Sequence, residues 1–342
     1  MTVKIPSFAK INLGLRIGGL RPDAFHELRT AYQTIALHDR ISVSVGRGSG
    51  IEIRCDDARV PTDSTNTCHR IVERAMEALH VRGRVRIEIE KRLPVQGGMG
   101  GASGNAVAAL LALELALKKS LSGGERLRIA AEVGSDLPLF FIGGTVLGVG
   151  RGEEVYPLPD LPQMRCVIAL PQIAVSTPKA FADWDRLCGA HPDAGLSNSI
   201  AGSKLTSPSH SDRMLEFSRE ISAWLSAVPV GSGGRRSGVS AKGGGRAENP
   251  LLDLVRTGIE NDFEQVVFPQ YPELREVKRV LQRAGARYAS LSGSGSAVYG
   301  LFDSREKAVK AAKKLEHRGT RAELTSTLTR RHYWKKLRTV SN

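Results

Sequence analysis

This sequence has little of what would mark several common classes of protein. Its four cysteines in 342 residues, Cys55, Cys68, Cys166 and Cys188, show no C-x-x-C spacing. That excludes a disulfide framework and a zinc site, and it fits a reducing, cytoplasmic setting. No run of about 18 apolar residues occurs, so no membrane-spanning helix is expected. Met1-Thr2-Val3-Lys4-Ile5-Pro6 lacks the apolar core of a signal peptide. Aromatic residues are 5% of the chain, too few for a base-stacking platform on nucleic acid. No cluster of carboxylates suggests a metal caged by protein.

Acidic residues are also scarce, 35 against 49 Lys and Arg, for a net charge of +14. The excess is local. Residues 304–342 carry twelve Lys/Arg against three Glu, and residues 204–248 carry seven against four acidic groups. The rest is close to neutral, and no recognisable nucleic-acid reading module accompanies the charge.

What the chain does have is a glycine-rich stretch, Pro94-Val95-Gln96-Gly97-Gly98-Met99-Gly100-Gly101-Ala102-Ser103-Gly104-Asn105. Before it, Val85, Ile87 and Ile89 alternate with charged residues, the period of a half-buried strand. After it, residues 106–113 are rich in strong helix formers. Strand, glycine loop and helix N-terminus in that order make a phosphate cradle. Glycine lets a ligand approach the backbone, and the first helical turn offers unpaired N–H groups at the positive end of a dipole. A plain surface turn is the competing reading. The loop is not of the G-x-x-x-x-G-K-[ST] type, because no Gly-Lys-Ser/Thr follows.

Along the chain, residues 7–15 read as a strand carrying Lys10 and Asn12 on the face opposite Ile11, Leu13 and Leu15. A solvated edge lysine is the ordinary explanation of Lys10. Arg21–Leu28 reads as a turn bearing Phe25 and His26. Asn66–His80 and Gly124–Val133 are predicted helices, the second ended by Gly134 in a left-handed conformation. Asp136 is the single carboxylate in an apolar run. It is either a capping residue or a general base. Prolines 157, 159 and 162 mark a boundary. Ser176–Phe181 is a turn into a helix. Residues 202–249 are a low-complexity insertion without core-forming capacity, except for a short helix near Leu215–Leu225. Pro272–Ala284 and Asp303–Glu316 are helices, the latter with Asp303 and Glu306 spaced as a capping box. The elements after the boundary suggest a β-α-β-β-α-β sandwich, followed by a solvated basic tail.

Five segments in this order resemble the GHMP kinase superfamily: Ala9–Leu13, Arg21–Leu28, the glycine loop, Gly134-Ser135-Asp136-Leu137-Pro138 and Leu291-Ser292-Gly293-Ser294-Gly295. Asn261–Glu264 and Val267–Leu274 bring the resemblance closest to the branch acting on 4-diphosphocytidyl-2-C-methyl-D-erythritol. It covers about residues 5–324 apart from the insertion. It implies an α+β, two-domain GHMP-kinase-like fold. Residues 1–156 would form a ribosomal-protein-like α/β domain and 157–325 a ferredoxin-like sandwich holding the 202–249 insertion, before a basic tail at 326–342. The departures from the family pattern are Gln96, Ala102 and Gly104 for two glycines and a serine, Ala24-Phe25 for Gly-Tyr, and Ser296 for proline.

The resemblance implies an ATP-dependent kinase that phosphorylates the C2 hydroxyl in non-mevalonate isoprenoid precursor synthesis. Asp136 would be the general base and Lys10 its partner. ATP would be held by Pro94, Gly97, Gly98, Met99, Gly100, Gly101, Ala102, Ser103, Gly104 and Asn105, with Asn66 and Lys91 lining the adenosine pocket. Ser103 is the hydroxyl offered to phosphate, and Mg²⁺ would arrive with ATP rather than in a metal site of the protein. Asn12, Phe25, His26, Thr177 and Phe181 would hold the acceptor, with Phe25 and Phe181 stacking on cytosine and His26 at the base edge. A small-molecule substrate, no nucleic acid or membrane, and a monomer or homodimer complete the expectation. The alternatives are a homoserine or mevalonate type of GHMP kinase, or a non-catalytic nucleic-acid-binding protein.

Overall fold

The computed structural model describes residues 2–189, 213–219, 221 and 259–338. Most of the expected 202–249 insertion lies outside them, as does the end of the helix expected there, although residues 213–219 are helical.

The first sheet is built on two long strands, β1 (Thr2–Leu20) and β2 (His26–Gly46). They pair antiparallel along their length, with register shifts at Phe8/Ala9, Asn12/Gly14 and Ile17/Leu20. Along its other edge β2 pairs with β4 (Arg84–Glu90) and, nearer its start, with β5 (Thr145–Val149). β3 (Gly50–Cys55) joins β4 in parallel, and β6 (Glu154–Pro157) joins β5. Helices α1 (Thr67–Ala78) and α2 (Gly101–Leu117) contact each other, and α2 lies on β1 and β2. This explains why α2 is apolar all round: neighbours cover both its flanks. α3 (Gly123–Val133) and α4 (Leu137–Ile142) complete this unit.

The second sheet has the order β10-β7-β9-β8 and is antiparallel throughout. Its strands are β7 (Arg165–Leu170), β8 (Tyr288–Leu291), β9 (Val298–Phe302) and β10 (Arg321–Ser326). Helices α5 (Thr177–Gly189), α6 (Phe263–Gln270), α7 (Pro272–Arg283) and α8 (Arg305–Glu316) belong with it. Alternation sorts its side chains. Val167, Ala169, Val298 and Phe302 face the helices, while Cys166, Ile168, Tyr299 and Leu301 face β1. β1 feeds all three apolar clusters: Ile5 and Phe8 in one, Ile11 and Leu13 in the next, Leu15 and Ile17 in the third. It is the spine that joins the sheets, and it carries Lys10 and Asn12 between them.

Three local expectations are corrected. Gly134 ends α3 in an extended conformation, φ 175°, rather than a left-handed one. The cap of α8 is Ser304, whose hydroxyl accepts from Lys307 N, because Asp303 is held by Arg287. The tail is not simply solvated: residues Arg330–Leu337 form α9, capped by Thr329, with Tyr333 and Leu337 buried on the first core. The Tyr333 hydroxyl donates to Phe140 O at 2.7 Å, and Trp334 donates to Ile142 O at 3.0 Å. Charged neighbours hide these aromatic anchors in the sequence.

Candidate active site

The glycine loop folds as a wall between two cavities. One, of about 380 Å³, is lined by Pro94, Gly97–Ser103, Asn105, Asn66, Lys91 and the 59–68 segment. The other, of about 620 Å³, is lined by Lys10, Asn12, His26, Asp136, Phe181 and neighbouring residues. Gly98 and Gly100 border both. Gly100 is the left-handed N-cap of α2 and bears no side-chain cap, and the first intrahelical bond runs from Gly104 N to Gly100 O. The amides of the first turn therefore remain open to an anion.

The loop has no slack. A Cβ at Gly98 would lie 2.1 Å from Ser292 O, and one at Gly100 3.0 Å from Lys10 Cγ. Ser292 Oγ donates to Gly98 O at 3.0 Å, which ties the loop to the turn between β8 and β9. Two departures from the family pattern, Gln96 and Ala24, stand at φ 60° and 62°. Both positions hold a backbone that glycine adopts freely and that costs other residues about 1–2 kcal/mol. Gly104 does not line the nucleotide-side cavity. It faces β1, where a Cβ would lie 2.8 Å from Phe8 O, so this departure is a close helix–strand contact.

Nucleotide-side residues are cross-braced by Asp39, a fully buried carboxylate that the sequence reading missed. It accepts from Lys91 Nζ at 2.6 Å, Arg92 N at 2.7 Å, Leu93 N at 2.7 Å and Asn105 Nδ2 at 2.9 Å. The Asn105 Oδ1 atom is buried without a partner. Asn66 caps α1, accepting from Cys68 N at 2.8 Å, and gives its amide to Pro61 O at 2.5 Å. It thus acts as cavity wall with its own polar groups engaged. Burial pushes the nearby Cys68 thiol up to about 12, which leaves it no nucleophilic character near neutral pH.

On the acceptor side, Lys10 is 4% exposed, not a solvated edge residue. Its Nζ donates to Asn12 Oδ1 at 2.7 Å and lies 3.3 Å from Asp136 Oδ2. Asn12 donates onward to Thr30 Oγ1 at 2.8 Å. Asp136 precedes α4, yet its carboxylate makes no capping bond. The capping explanation fails, and the carboxylate, 32% exposed, turns to Lys10 and to Tyr32, whose hydroxyl donates to Oδ1 at 3.0 Å. Tyr32 was also missed by sequence reasoning, because its partner lies 104 residues away.

His26, Phe181 and Thr177 meet on α5 and the start of β2. The His26 and Phe181 rings stack at 4.9 Å and 11°, and Phe263 meets Phe181 edge-on. His26 Nε2 is 2.7 Å from Asp185 Oδ1. Thr177 Oγ lies 2.6 Å from Ser294 Oγ. Phe25 is 51% exposed at the mouth of the same cleft, with the Arg151 guanidinium 5.0 Å from its ring centroid. Phe25 and Phe181 share the cleft without direct ring contact among the described residues. Arg151 is a third residue not singled out from sequence. Its Nε bonds Glu153 Oε1 at 3.1 Å, and it lines the acceptor cleft. A lone basic residue inside Gly150-Arg151-Gly152 gave no signal beyond a turn.

Known proteins resemble this chain along nearly its whole length. Residues 66–144 match the GHMP kinases N terminal domain, and residues 248–320 match GHMP kinases C terminal. The 4-diphosphocytidyl-2-C-methyl-D-erythritol kinase of Solibacter usitatus (strain Ellin6076) is 37% identical over 337 residues, 96% of this chain and 91% of that protein. The kinase of the same name from Moorella thermoacetica (strain ATCC 39073 / JCM 9320) is 33% identical, covering 95% of this chain and 98% of that one. A crystal structure of 4-(cytidine 5'-diphospho)-2C-methyl-D-erythritol kinase superposes with a TM-score of 0.67 at 27% identity, over 95% of this chain and 98% of that one. A homoserine kinase from Cytophaga hutchinsonii ATCC 33406 gives 0.68 at 19% identity, covering 96% and 95%, a likeness of fold.

Proposed function

The chain belongs to the 4-diphosphocytidyl-2-C-methyl-D-erythritol kinase family of GHMP kinases, and on that premise we propose how its two cavities divide the reaction. It is an ATP-dependent small-molecule kinase of isoprenoid precursor synthesis. The cavity behind Asn66, Lys91 and Asn105 takes the nucleotide, and the one holding Lys10, Asp136 and Phe181 takes the cytidyl substrate. The observation that carries this reading is the shared wall: Gly98 and Gly100 border both cavities, beside the Lys10–Asp136 pair.

Bound ATP supplies the phosphoryl group. Among the described residues no group of three or more His, Cys, Asp or Glu could hold a metal ion. In this reading Mg²⁺ would enter on the triphosphate and help to neutralise its charge. The open amides of α2 and its dipole neutralise phosphate charge. Asp136 accepts the proton of the acceptor's C2 hydroxyl, for a tertiary alcohol is a poor nucleophile at neutral pH. Lys10, 3.3 Å from that carboxylate, stabilises developing charge on oxygen. Asn12 holds the Lys10 ammonium on its strand, and Ser103 presents its hydroxyl to the phosphates. We read the first sheet and its helices as a ribosomal-protein-like unit, about residues 1–156, and the second as a ferredoxin-like unit, about 157–325, of an enzyme working in the cytoplasm.

Phe181 stacks on cytosine with His26 at the base edge and Phe25 at the mouth, and Thr177 closes the cleft. Base–aromatic stacking is worth about 1–3 kcal/mol. Phe181→Ala is therefore expected to raise KM for the cytidyl substrate roughly tenfold or more and leave KM for ATP unchanged; steady-state titration of each substrate checks this. Arg151 provides the cation for the substrate diphosphate. A charge-assisted hydrogen bond is worth about 1.5–3 kcal/mol, so Arg151→Met should raise the same KM roughly 10- to 100-fold with kcat little changed. An unaltered KM would remove Arg151 from diphosphate binding. The test of the function is a coupled ADP-release assay with 4-diphosphocytidyl-2-C-methyl-D-erythritol against homoserine and mevalonate. Turnover with the cytidyl substrate alone supports the reading, and preference for either small substrate overturns it.

A further inference from the structure

We propose that Tyr32 is a positioning residue for Asp136: its hydroxyl fixes the carboxylate plane so that the free lone pairs meet the acceptor hydroxyl. The inference rests on Asp136 being the base. Tyr32 is 2% exposed on β2, opposite Asn12 in register, and its hydroxyl donates to Asp136 Oδ1 at 3.0 Å. Its ring lies under the Lys10 ammonium, 5.4 Å from Nζ to centroid. One residue thus touches both members of the pair. A carboxylate offers about four lone-pair sites. With Tyr32 on Oδ1 and Lys10 at Oδ2, two sites remain for the substrate, and rotation about the Cβ–Cγ bond is blocked from both sides.

The chain makes room for this tyrosine specifically. A Cβ at Gly148 would lie 2.5 Å from Tyr32 Cε2, and one at Gly152 2.5 Å from the Tyr32 hydroxyl. Gly152 also stands at φ +97°, a conformation that side chains rarely adopt. Burial, and then the nearby Asp136 charge, push the phenol well above its ordinary value. It therefore stays a protonated donor throughout the working pH range. The charged groups facing Tyr32 and Asp136 are Lys10 from β1 and Glu153 and Arg151 from the turn after β5. Of these, Lys10 alone is within ion-pair distance of Asp136.

A hydrogen bond given to the ionised carboxylate favours that form, so removing it favours protonation. Tyr32→Phe keeps the ring and deletes the donor. Its kcat should fall about tenfold, the acid limb of the kcat–pH profile should move to higher pH, and KM for ATP should stay unchanged. Replacing Tyr32 with 3-fluorotyrosine, a stronger donor of nearly the same shape, should move that limb to lower pH, which a purely structural role would not do. Wild-type profiles for both proteins, alongside an inactive Asp136→Asn, would overturn the positioning role alone. An active Asp136→Asn would overturn the base assignment itself.

Discussion

Asp136→Asn should reduce kcat by about 10²–10⁴-fold, the usual worth of general acid–base assistance, while KM for ATP changes little. The substitution preserves shape. The Asn carbonyl oxygen can accept from Lys10, and its amide can donate to the Tyr32 oxygen, so the contacts at 3.3 Å and 3.0 Å survive with the charge removed. Lys10, 4% exposed, keeps its bond to Asn12 Oδ1, and the folded state loses one ion-pair partner rather than all of its solvation. Binding of ATP on the far side of the glycine wall is thereby separated from proton transfer. Single-turnover measurement distinguishes a lost chemical step from slow product release. Full activity in this variant would take the base role from Asp136.

How far the sequence reveals such a site depends on how local each signal is. The nucleotide cradle is local, because strand, loop and helix start follow one another within residues 85–113 and each residue type reports its own backbone demand. Lys10 and Asp136 are legible as residue types, but not as a pair. Lys10 reads equally as an edge lysine until β1 is seen to run between two sheets, and Asp136 reads as a cap until its carboxylate is seen to make no capping bond. Asp39 and Tyr32 were not legible, since their partners lie 52–66 and 104 residues away. Alternation along β2 says only which face each occupies. Tyr333 was lost for a different reason: in Arg330-Arg331-His332-Tyr333-Trp334-Lys335-Lys336 charge dominates the composition, while burial is decided by one face of a short helix.

Gly98→Ala should be the most damaging single methyl group in the loop. The residue stands at φ +71°, where an L side chain costs about 1–2 kcal/mol by itself. The added Cβ would also lie 2.1 Å from Ser292 O and 3.0 Å from Gly295 O. Both are backbone atoms of the turn between β8 and β9, so neither can swing aside as a side-chain tip would. Relief requires the loop and the turn to part. That breaks the bonds from Ser292 Oγ to Gly98 O at 3.0 Å and from Ala297 N to Gly97 O at 3.3 Å. Because Gly98 borders both cavities, parting them moves the nucleotide and acceptor walls together. Misplacement by about 1 Å between reacting groups is worth about 10²-fold. The variant should therefore lose at least about that factor in kcat/KM for both substrates, with a lowered Tm. Gly101→Ala is the stability control: its Cβ would meet nothing closer than 3.4 Å and it begins a helix, so its Tm should hold. Equal Tm values for the two variants, with ATP and acceptor kinetics of Gly98→Ala intact, would mean that the contact between loop and turn does not hold the two cavities in register.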